Sequence, residues 1–345
     1  MDGLKRTAAV CQNGAPFPAG APPMFSLRLN ASASLAVPAP AARDALEEAL
    51  AGAVRQVNAW VLGKPAQIRL AFACVLAGGH LLIEDLPGTG KTLLARSLAA
   101  TLGLQCRRIQ FTADLMPSDV LGVSVFQPQA QAFEFHPGPV FTQILLADEI
   151  NRAPPRTQSA LLEAMAEAQV SMDGFTRALP NPFVVLATQN PLDQAGTFPL
   201  PAAQKDRFLF QIGLGYPDRA SQIALMRGTR RLDLVERAPA PLLDASQVEQ
   251  LRARARALQL SDALLEYACD LIEATREHPE LTMGLSPRAG RALVEAGQAL
   301  ALLDGQAFVS PEHLQEAFVP LAVHRVEGDR PEQTVRAILA EVPVR

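Results

Sequence analysis

The chain has 345 residues, of which 49% are hydrophobic, 19% are charged and 5% are aromatic. These proportions are typical of a globular protein and exclude a disordered or fibrous one, and the length allows one large domain or two moderate ones. The formal net charge of −4 argues against a broad nucleic-acid-binding face.

The first predicted elements precede a glycine-rich loop. Residues 1–41 are rich in Ala, Pro and Ser and have no sustained periodicity, which predicts a flexible extension. From residue 42 to residue 61 the apolar positions recur at helical spacing and predict an amphipathic helix. A second helix is predicted over 67–76, and it leads through two glycines into a short apolar strand, Leu81–Ile83.

The glycine-rich loop is the most informative stretch. After Leu81–Ile83 the chain reads Glu84-Asp-Leu-Pro-Gly-Thr-Gly-Lys-Thr92 and then continues with apolar residues at helical spacing. A strand, a tight loop and a helix in this order direct backbone N–H groups and the positive end of a helix dipole into one concavity, which suits a polyphosphate. Lys91 would then neutralise the β- and γ-phosphates, and Thr92 would bind Mg²⁺. The alternative is an ordinary strand-to-helix turn, and Asp85 replaces the first glycine of the full phosphate-loop pattern.

Strands and helices alternate after this loop. The predicted elements are a strand at 107–111, a hairpin at 123–135, a strand at 140–149, a helix at 153–168, a hairpin at 170–177 and strands at 183–188 and 208–212. This alternation predicts an α/β fold with a parallel, doubly wound sheet. From residue 217 onward the pattern is helical only. We therefore expect an extension (1–41), an α/β core (42–216) and a second, α-helical domain (217–345).

Three polar residues follow buried strands. Asp148 and Glu149 end one apolar strand, and Asn190 follows another, so all three are predicted at the carboxyl edge of the sheet beside the glycine loop. One carboxylate could hold the Mg²⁺ shell and the other could polarise the attacking water, while the amide orients water or phosphate. The alternatives are acids favoured at a helix N-terminus and a turn residue before a proline.

Two arginines are further candidates. Arg207 precedes the last strand, and its alternative role is a surface salt bridge with Asp206, which would contribute little. Arg288 lies at the start of a helix that Ser286 and Pro287 define. A cation at that position opposes the helix dipole and needs an anionic partner, which a nucleotide phosphate could supply.

Several of these segments together resemble the MoxR family of AAA+ ATPases. The matching stretches lie in register between Val61 and Val323 and are Leu86-Pro-Gly-Thr-Gly-Lys-Thr92, Ala147-Asp-Glu-Ile-Asn-Arg-Ala-Pro-Pro-Arg-Thr-Gln-Ser-Ala-Leu-Leu-Glu-Ala-Met165, Ala187-Thr-Gln-Asn-Pro191, Phe198-Pro-Leu-Pro-Ala-Ala-Gln-Lys-Asp-Arg-Phe208 and Leu285-Ser-Pro-Arg288. The resemblance implies an AAA+ phosphate-loop core with a small all-α C-terminal lid. The first forty residues have no counterpart in it.

The resemblance also implies roles for the matched positions. Asp148 and Glu149 correspond to Walker B, with Asp148 binding Mg²⁺ together with the Walker A threonine, and Asn190 corresponds to sensor 1. Arg207 would be an arginine finger that reaches the ATP of a neighbouring copy, and Arg288 would be sensor 2, tying the lid to the γ-phosphate. The residues implied to bind the nucleotide through the phosphate loop and the adenine pocket are Pro87, Gly88, Thr89, Gly90, Lys91, Thr92, Leu93, Val61, Leu62 and Gly63.

The expected function is that of a MgATP-dependent, ring-forming ATPase that remodels, matures or activates a protein partner. The resemblance suggests a hexameric ring, a chaperone-like role and a partner with a von Willebrand factor A domain. A chelatase-type motor for metal insertion and an MCM-like nucleic-acid motor are the alternatives. The second is disfavoured because the chain has neither a basic stretch nor an array of stacking aromatics.

Three remaining features of the sequence predict only ordinary structure. The four cysteines are scattered, which favours lone thiols over a zinc site or a disulfide framework. The longest apolar run is interrupted by glycines, so we expect no membrane insertion and predict a cytoplasmic location. His80 and His136 are predicted to be hydrogen-bonded structural histidines, and Arg252, Arg254 and Arg256 to form a solvated helix face or a subunit contact.

Overall fold

The structure is a computed structural model that describes residues 44–191, 196–228, 231–238 and 240–344. The predicted extension lies outside these residues. The helices are α1 (Ala45–Trp60), α2 (Pro65–Ala77), α3 (Lys91–Leu102), α4 (Pro117–Leu121), α5 (Pro155–Glu167), α6 (Ala202–Lys205), α7 (Arg219–Arg227), α8 (Arg231–Glu236), α9 (Ala245–Ala257), α10 (Asp262–Glu277), α11 (Pro287–Leu303), α12 (Pro311–Ala322) and α13 (Pro331–Glu341). The strands are β1 (Leu81–Glu84), β2 (Cys106–Gln110), β3 (Gly122–Gln127), β4 (Ala132–Pro137), β5 (Ile144–Asp148), β6 (Gln169–Met172), β7 (Phe175–Ala178), β8 (Val184–Gln189), β9 (Phe210–Ile212), β10 (Leu281–Met283) and β11 (Glu327–Gly328).

The central sheet has five parallel strands in the order β2-β5-β8-β1-β9. The end of β1 lies beside the end of β8, because Glu84 pairs with Gln189, and the end of β2 lies beside the end of β5, because Gln110 pairs with Asp148. The carboxyl ends of four strands therefore meet at one edge, which is where ligands bind in open α/β sheets. This confirms the predicted α/β fold.

Both faces of the sheet are buried, and alternate residues of one strand belong to different cores. On β1, Leu81 and Ile83 pack with α1, α2, α3 and the C-terminal helices, whereas Leu82 packs with α5 on the other face. On β5, Leu145 and Leu146 divide in the same way. Successive strand side chains point to opposite faces, so a fully apolar strand is what two covered faces require.

Ion pairs fix the C-terminal helices on the core. Arg69 on α2 makes two hydrogen bonds to Asp304, at 2.6 and 2.9 Å, and pairs with Glu316 on α12 at 2.7 Å. Arg252 on α9 is only 5% exposed, donates to the carbonyl of Val75 on α2 at 2.8 Å and so joins α9 to the core. The prediction that Arg252 belongs to a solvated face was therefore wrong.

Other local predictions hold with different boundaries. The Asp173-Gly174 turn joins β6 to β7, with φ angles of 54° and 78° at the two residues, as expected for a two-residue hairpin. The strand predicted from residue 140 begins only at Ile144, because the four preceding residues form a turn.

The C-terminal segment also contains an antiparallel pair, β10 and β11, that the helical pattern did not predict. Within the described ranges, no helix combines the length and apolar character needed to cross a bilayer.

His80 is a structural residue, as predicted. Its Nδ1 accepts the backbone N–H of Val185 at 3.0 Å, so Nε2 carries the proton and donates to the carbonyl of Met165 at 3.2 Å. Burial, together with the positive charges of Arg252 and Arg288, lowers the pKa of His80 to about 4. The folded protein therefore holds this ring in the neutral form.

We expect this histidine to make the fold sensitive to acid. The unfolded chain takes up the proton near pH 6.5 and the folded chain only near pH 4, so stability falls as the pH decreases through this window. The loss attributable to His80 between pH 7.5 and pH 5 should be about 2 kcal/mol. Urea unfolding at the two pH values measures it. His80→Gln should show a smaller loss, whereas His136→Gln, at an exposed position, should match the wild type; equal losses in all three proteins would contradict this role.

Candidate active site

The loop between β1 and α3 is an open backbone cradle. Gly88 and Gly90 have φ angles of 83° and 102°, and apart from the adjacent residues no atom lies within 4 Å of where a Cβ would stand at either residue. These left-handed conformations favour glycine, and they direct the loop around the N-terminus of α3. The fit to an anion is therefore good, because N–H groups and the helix dipole point to one place. Lys91 Nζ donates to the carbonyls of Asp85, at 3.1 Å, and Leu86, at 2.7 Å, within the loop.

Asp85, the departure from the phosphate-loop pattern, has a structural role. Its side chain is 7% exposed, and its two carboxylate oxygens accept different backbone N–H groups. Leu86 donates to Oδ1 at 2.7 Å, and Gly215, in the segment after β9, donates to Oδ2 at 2.7 Å. The carboxylate thus joins the start of the loop to the segment that leads into the C-terminal helices.

A pocket of about 340 Å³ lies over this loop. It brings together most of the residues that the sequence predicted, from three separate strand ends and the loop. Its lining residues are Asp85, Pro87, Gly88, Gly90, Lys91, Thr92, Leu93, Arg108, Gln110, Asp148, Glu149, Thr188, Gln189, Asn190 and Leu232. The parallel sheet explains this convergence, since the carboxyl ends of β1, β2, β5 and β8 share one edge.

Asp148 is a buried carboxylate with two partners. Arg108 on β2 donates from Nε to Oδ2 at 2.5 Å, and the Thr188 hydroxyl donates to Oδ1 at 3.2 Å. Thr188 also accepts the N–H of Glu149 at 2.9 Å, which fixes β8 to the end of β5. The Thr92 hydroxyl and the Asp148 carboxylate share the pocket and are oxygen ligands of the kind that Mg²⁺ prefers.

Glu149 has a left-handed backbone conformation, with a φ of 56° and a ψ of 49°. This conformation is uncommon for a residue with a side chain, costs roughly 1–2 kcal/mol and often occurs at functional sites. It turns the chain out of β5 at the pocket. The carboxylate accepts from Gln110 Nε2 at 2.7 Å and pairs with Arg152 at 3.0 Å. Both contacts compete with any water that the carboxylate could polarise.

Two amide residues complete the pocket wall at the end of β8. Asn190 lines the pocket, as predicted. Gln189, directly before it, also lines the pocket, and its buried Nε2 has no hydrogen-bond acceptor among the described residues. Because an unpaired buried donor costs free energy, this amide favours a ligand with acceptor oxygens, such as a phosphate or an ordered water.

Three residues predicted for the adenine pocket do not line this pocket. Val61 is buried at the end of α1, Leu62 is half-buried and Gly63 has a φ of 70°. A Cβ on Gly63 would stand 2.8 Å from the hydroxyl of Ser221 on α7, so this turn lies against the start of the C-terminal helices. Their role at an adenine remains a prediction.

The two predicted arginines also lie elsewhere. Arg207 precedes β9 at the starting edge of the sheet, opposite the pocket, and its guanidinium donates to the carbonyl of Leu162 on α5. It does not pair with Asp206, which pairs with Arg325 instead. Arg288 is exposed in the first turn of α11, and its positive charge lowers the pKa of His80, directly before β1. The structure thus does not bring Arg288 to the phosphate loop of its own chain.

Sequence reasoning missed several residues of the pocket, among them Arg108, Gln110, Thr188, Gln189 and Leu232. Arg108 and Gln110 stand two positions apart on β2 and so face the same side, but only the sheet order shows that β2 neighbours β5. Thr188 and Gln189 end the same strand as Asn190, and the alternation of side chains along β8 was the available signal.

Comparisons with known proteins agree with this geometry. A family model described as the ATPase family associated with various cellular activities (AAA) matches residues 80–210, and one described as an AAA lid domain matches residues 273–342. An uncharacterized protein of Bacillus subtilis, YeaC, is 41% identical over 88% of this chain and 97% of its own. Chaperone MoxR1 of Mycobacterium tuberculosis is 36% identical over 79% of this chain and 74% of its own. A crystal structure of a candidate ATPase from Cytophaga hutchinsonii shares 34% identity, with a TM-score of 0.79 over 87% of this chain and 96% of that one.

Proposed function

The chain belongs to the MoxR family of AAA+ ATPases, and from this we propose that it hydrolyses MgATP at a seam between two copies and uses the hydrolysis to remodel a protein partner. ATP is the substrate, with its phosphates on the loop Pro87–Leu93. Mg²⁺, held by Thr92 and Asp148, would neutralise the charge that develops on the phosphates. Glu149 would accept a proton from the attacking water, and Asn190 would orient that water.

The observation that carries this proposal is the separation between the pocket and Arg207. The pocket lies at the carboxyl ends of the strands, whereas Arg207 precedes β9 at their starting edge. Strand β1, with four residues, separates the two edges by about 10 Å of backbone. An arginine at the starting edge serves the reaction only if another copy brings its pocket there. Side-by-side packing of copies meets this condition, and the exposed Arg288 near the same edge is a second cation that can reach a neighbour's phosphates.

Such head-to-tail packing closes into a ring when the rotation between copies divides a full turn, and we propose that it does so here. We propose six copies, as the family resemblance suggests. The name of one relative, Chaperone MoxR1, supports a chaperone-like role, and we propose a partner with a von Willebrand factor A domain. A cytoplasmic location agrees with such a role.

The test of the shared site is the dependence of ATP hydrolysis on protein concentration. We expect turnover per chain to rise more than 10-fold as sedimentation velocity shows assembly, since an arginine finger contributes on the order of 10³–10⁵ in rate. Lys91→Ala, in which the phosphate loop loses its cation, should be inactive at every concentration and controls for contaminating ATPases. A strictly monomeric preparation that hydrolyses ATP as fast as the assembled form would contradict the proposal.

A further inference from the structure

The short segment around Arg207 is held by the C-terminal helices. Arg325, which follows α12, is 5% exposed and extends its guanidinium to the backbone that precedes β9. Its Nε donates to the carboxylate of Asp206 at 2.8 Å, and its Nη2 donates to the carbonyl of Phe208 at 2.6 Å. The residues on both sides of Arg207 are therefore fixed by one side chain.

All five N–H donors of Arg325 are used. In addition to the two bonds above, Nη2 contacts the carbonyl of Asp206 at 3.4 Å, and Nη1 donates to the carbonyls of Leu209, at 3.1 Å, and Leu321, at 2.5 Å. Burial lowers the pKa of Arg325 to about 10, which leaves it charged at neutral pH, and Asp206 stabilises that charge. A lysine has three donors and no planar fork, so it cannot reproduce this set.

Neighbouring contacts make the segment rigid from both sides. His324 Nε2 donates to the carbonyl of Phe208 at 2.9 Å, and the N–H of Leu209 donates to the carbonyl of His80 at 2.7 Å, next to β1. On the same helix as Leu321, Glu316 pairs with Arg69 of α2. The helix α12 thus connects the core to the backbone that carries Arg207.

We propose that Arg325 is a positioning residue: it fixes the backbone on both sides of Arg207 and thereby holds Arg207, whose guanidinium donates to the carbonyl of Leu162 in this structure, at the place from which it reaches the ATP of a neighbouring copy. The inference rests on the proposed function, because it requires Arg207 to act in a neighbour's pocket. A misplacement of about 1 Å in a catalytic group can cost as much as 10²-fold in rate. The C-terminal helices therefore control how each chain presents its Arg207 to the ATP site of its neighbour.

The experiment compares full-length, assembled Arg325→Lys with the wild type in MgATP. We expect kcat to fall about 10-fold with ATP affinity unchanged, because the variant's own pocket lies at the other edge of the sheet. Arg207→Ala/Arg325→Lys should be no slower than Arg207→Ala alone.

Arg252→Lys is the matched control, since Arg252 is also buried and also joins a C-terminal helix to a core carbonyl; it should keep its kcat. Asp206→Asn, which removes only the carboxylate partner, should show a smaller loss in the same direction and serves if Arg325→Lys does not fold.

Mixing identifies the side of the seam that is affected. Arg325→Lys chains keep an intact pocket, so Lys91→Ala chains, which have an intact Arg207 and Arg325, should restore their turnover in mixed assemblies. Absence of rescue would show that Arg325 acts on its own pocket and would overturn the inference. A normal kcat in Arg325→Lys and in Asp206→Asn, with Arg207→Ala slow, would overturn it while leaving the proposed function intact. A wild-type rate in Arg207→Ala would overturn both.

Discussion

Glu149→Gln is expected to bind MgATP normally and to hydrolyse it at least about 10²-fold more slowly than the wild type, because loss of a general base typically costs 10²–10⁴ in rate. The amide has nearly the same shape as the carboxylate, so the left-handed backbone at this residue and the hydrogen bond to Gln110 can persist. What the amide lacks is the basic oxygen that, in the proposed mechanism, takes the proton of the attacking water. The measurement is single-turnover hydrolysis beside equilibrium binding of a fluorescent ATP analogue.

The control for this variant is Glu163→Gln, which changes an exposed carboxylate on α5 and should leave both quantities unchanged. Unchanged turnover in Glu149→Gln would remove Glu149 from the reaction. A parallel loss of binding and turnover would instead indicate that the carboxylate supports the pocket rather than the chemistry. If Glu149→Gln retains ATP as expected, we expect it to accumulate in the proposed assembled form, from which a protein partner can be isolated.

The sequence predicted the phosphate loop well because every local requirement appears there in order. The apolar run, the two glycines and the helical spacing after Thr92 each predict one element, and the elements are adjacent in the chain. The positions of Asp148, Glu149 and Asn190 were predicted in the same way, since the rule about carboxyl edges needs only strand ends and parallel strands, while their roles stay predictions. The pocket is lined by these three residues and by the loop residues Pro87, Gly88, Gly90, Lys91, Thr92 and Leu93, whereas Thr89 does not line it.

The residues that the sequence did not predict depend on neighbours that are distant along the chain. The contact of Arg108 with Asp148 requires β2 beside β5, and a parallel sheet can place its strands in several orders. The hydrogen bond from the N–H of Gly215 to the Asp85 carboxylate joins positions 130 residues apart. The sequence gives no indication that Arg325 is buried, because a single arginine after an amphipathic helix carries no local signal of burial.

Arg207→Ala should bind ATP as tightly as the wild type but hydrolyse it on the order of 10³-fold more slowly in the assembled protein, within the range known for arginine fingers. The physical reason is that, in the proposed shared site, the guanidinium stabilises charge that develops only in the transition state, so ATP binding in the variant's own pocket should be unchanged. Saturating steady-state kinetics and equilibrium binding measure the two effects. Arg55→Ala, at an exposed surface pair with Glu48 on α1, is the control and should change neither.

Mixing Arg207→Ala with Lys91→Ala decides whether the arginine acts within its chain or between chains. Each variant alone should be nearly inactive, because Arg207→Ala lacks the guanidinium and Lys91→Ala lacks a working phosphate loop. In random, equimolar assemblies about a quarter of the seams combine an intact loop from the first variant with an intact Arg207 from the second. Turnover should therefore recover to about a quarter of the wild-type value for independent seams, and to less if neighbouring sites are coupled. No recovery in assemblies that contain both variants would mean that loop and arginine must belong to one chain, which the separation of the pocket from Arg207 across the sheet argues against.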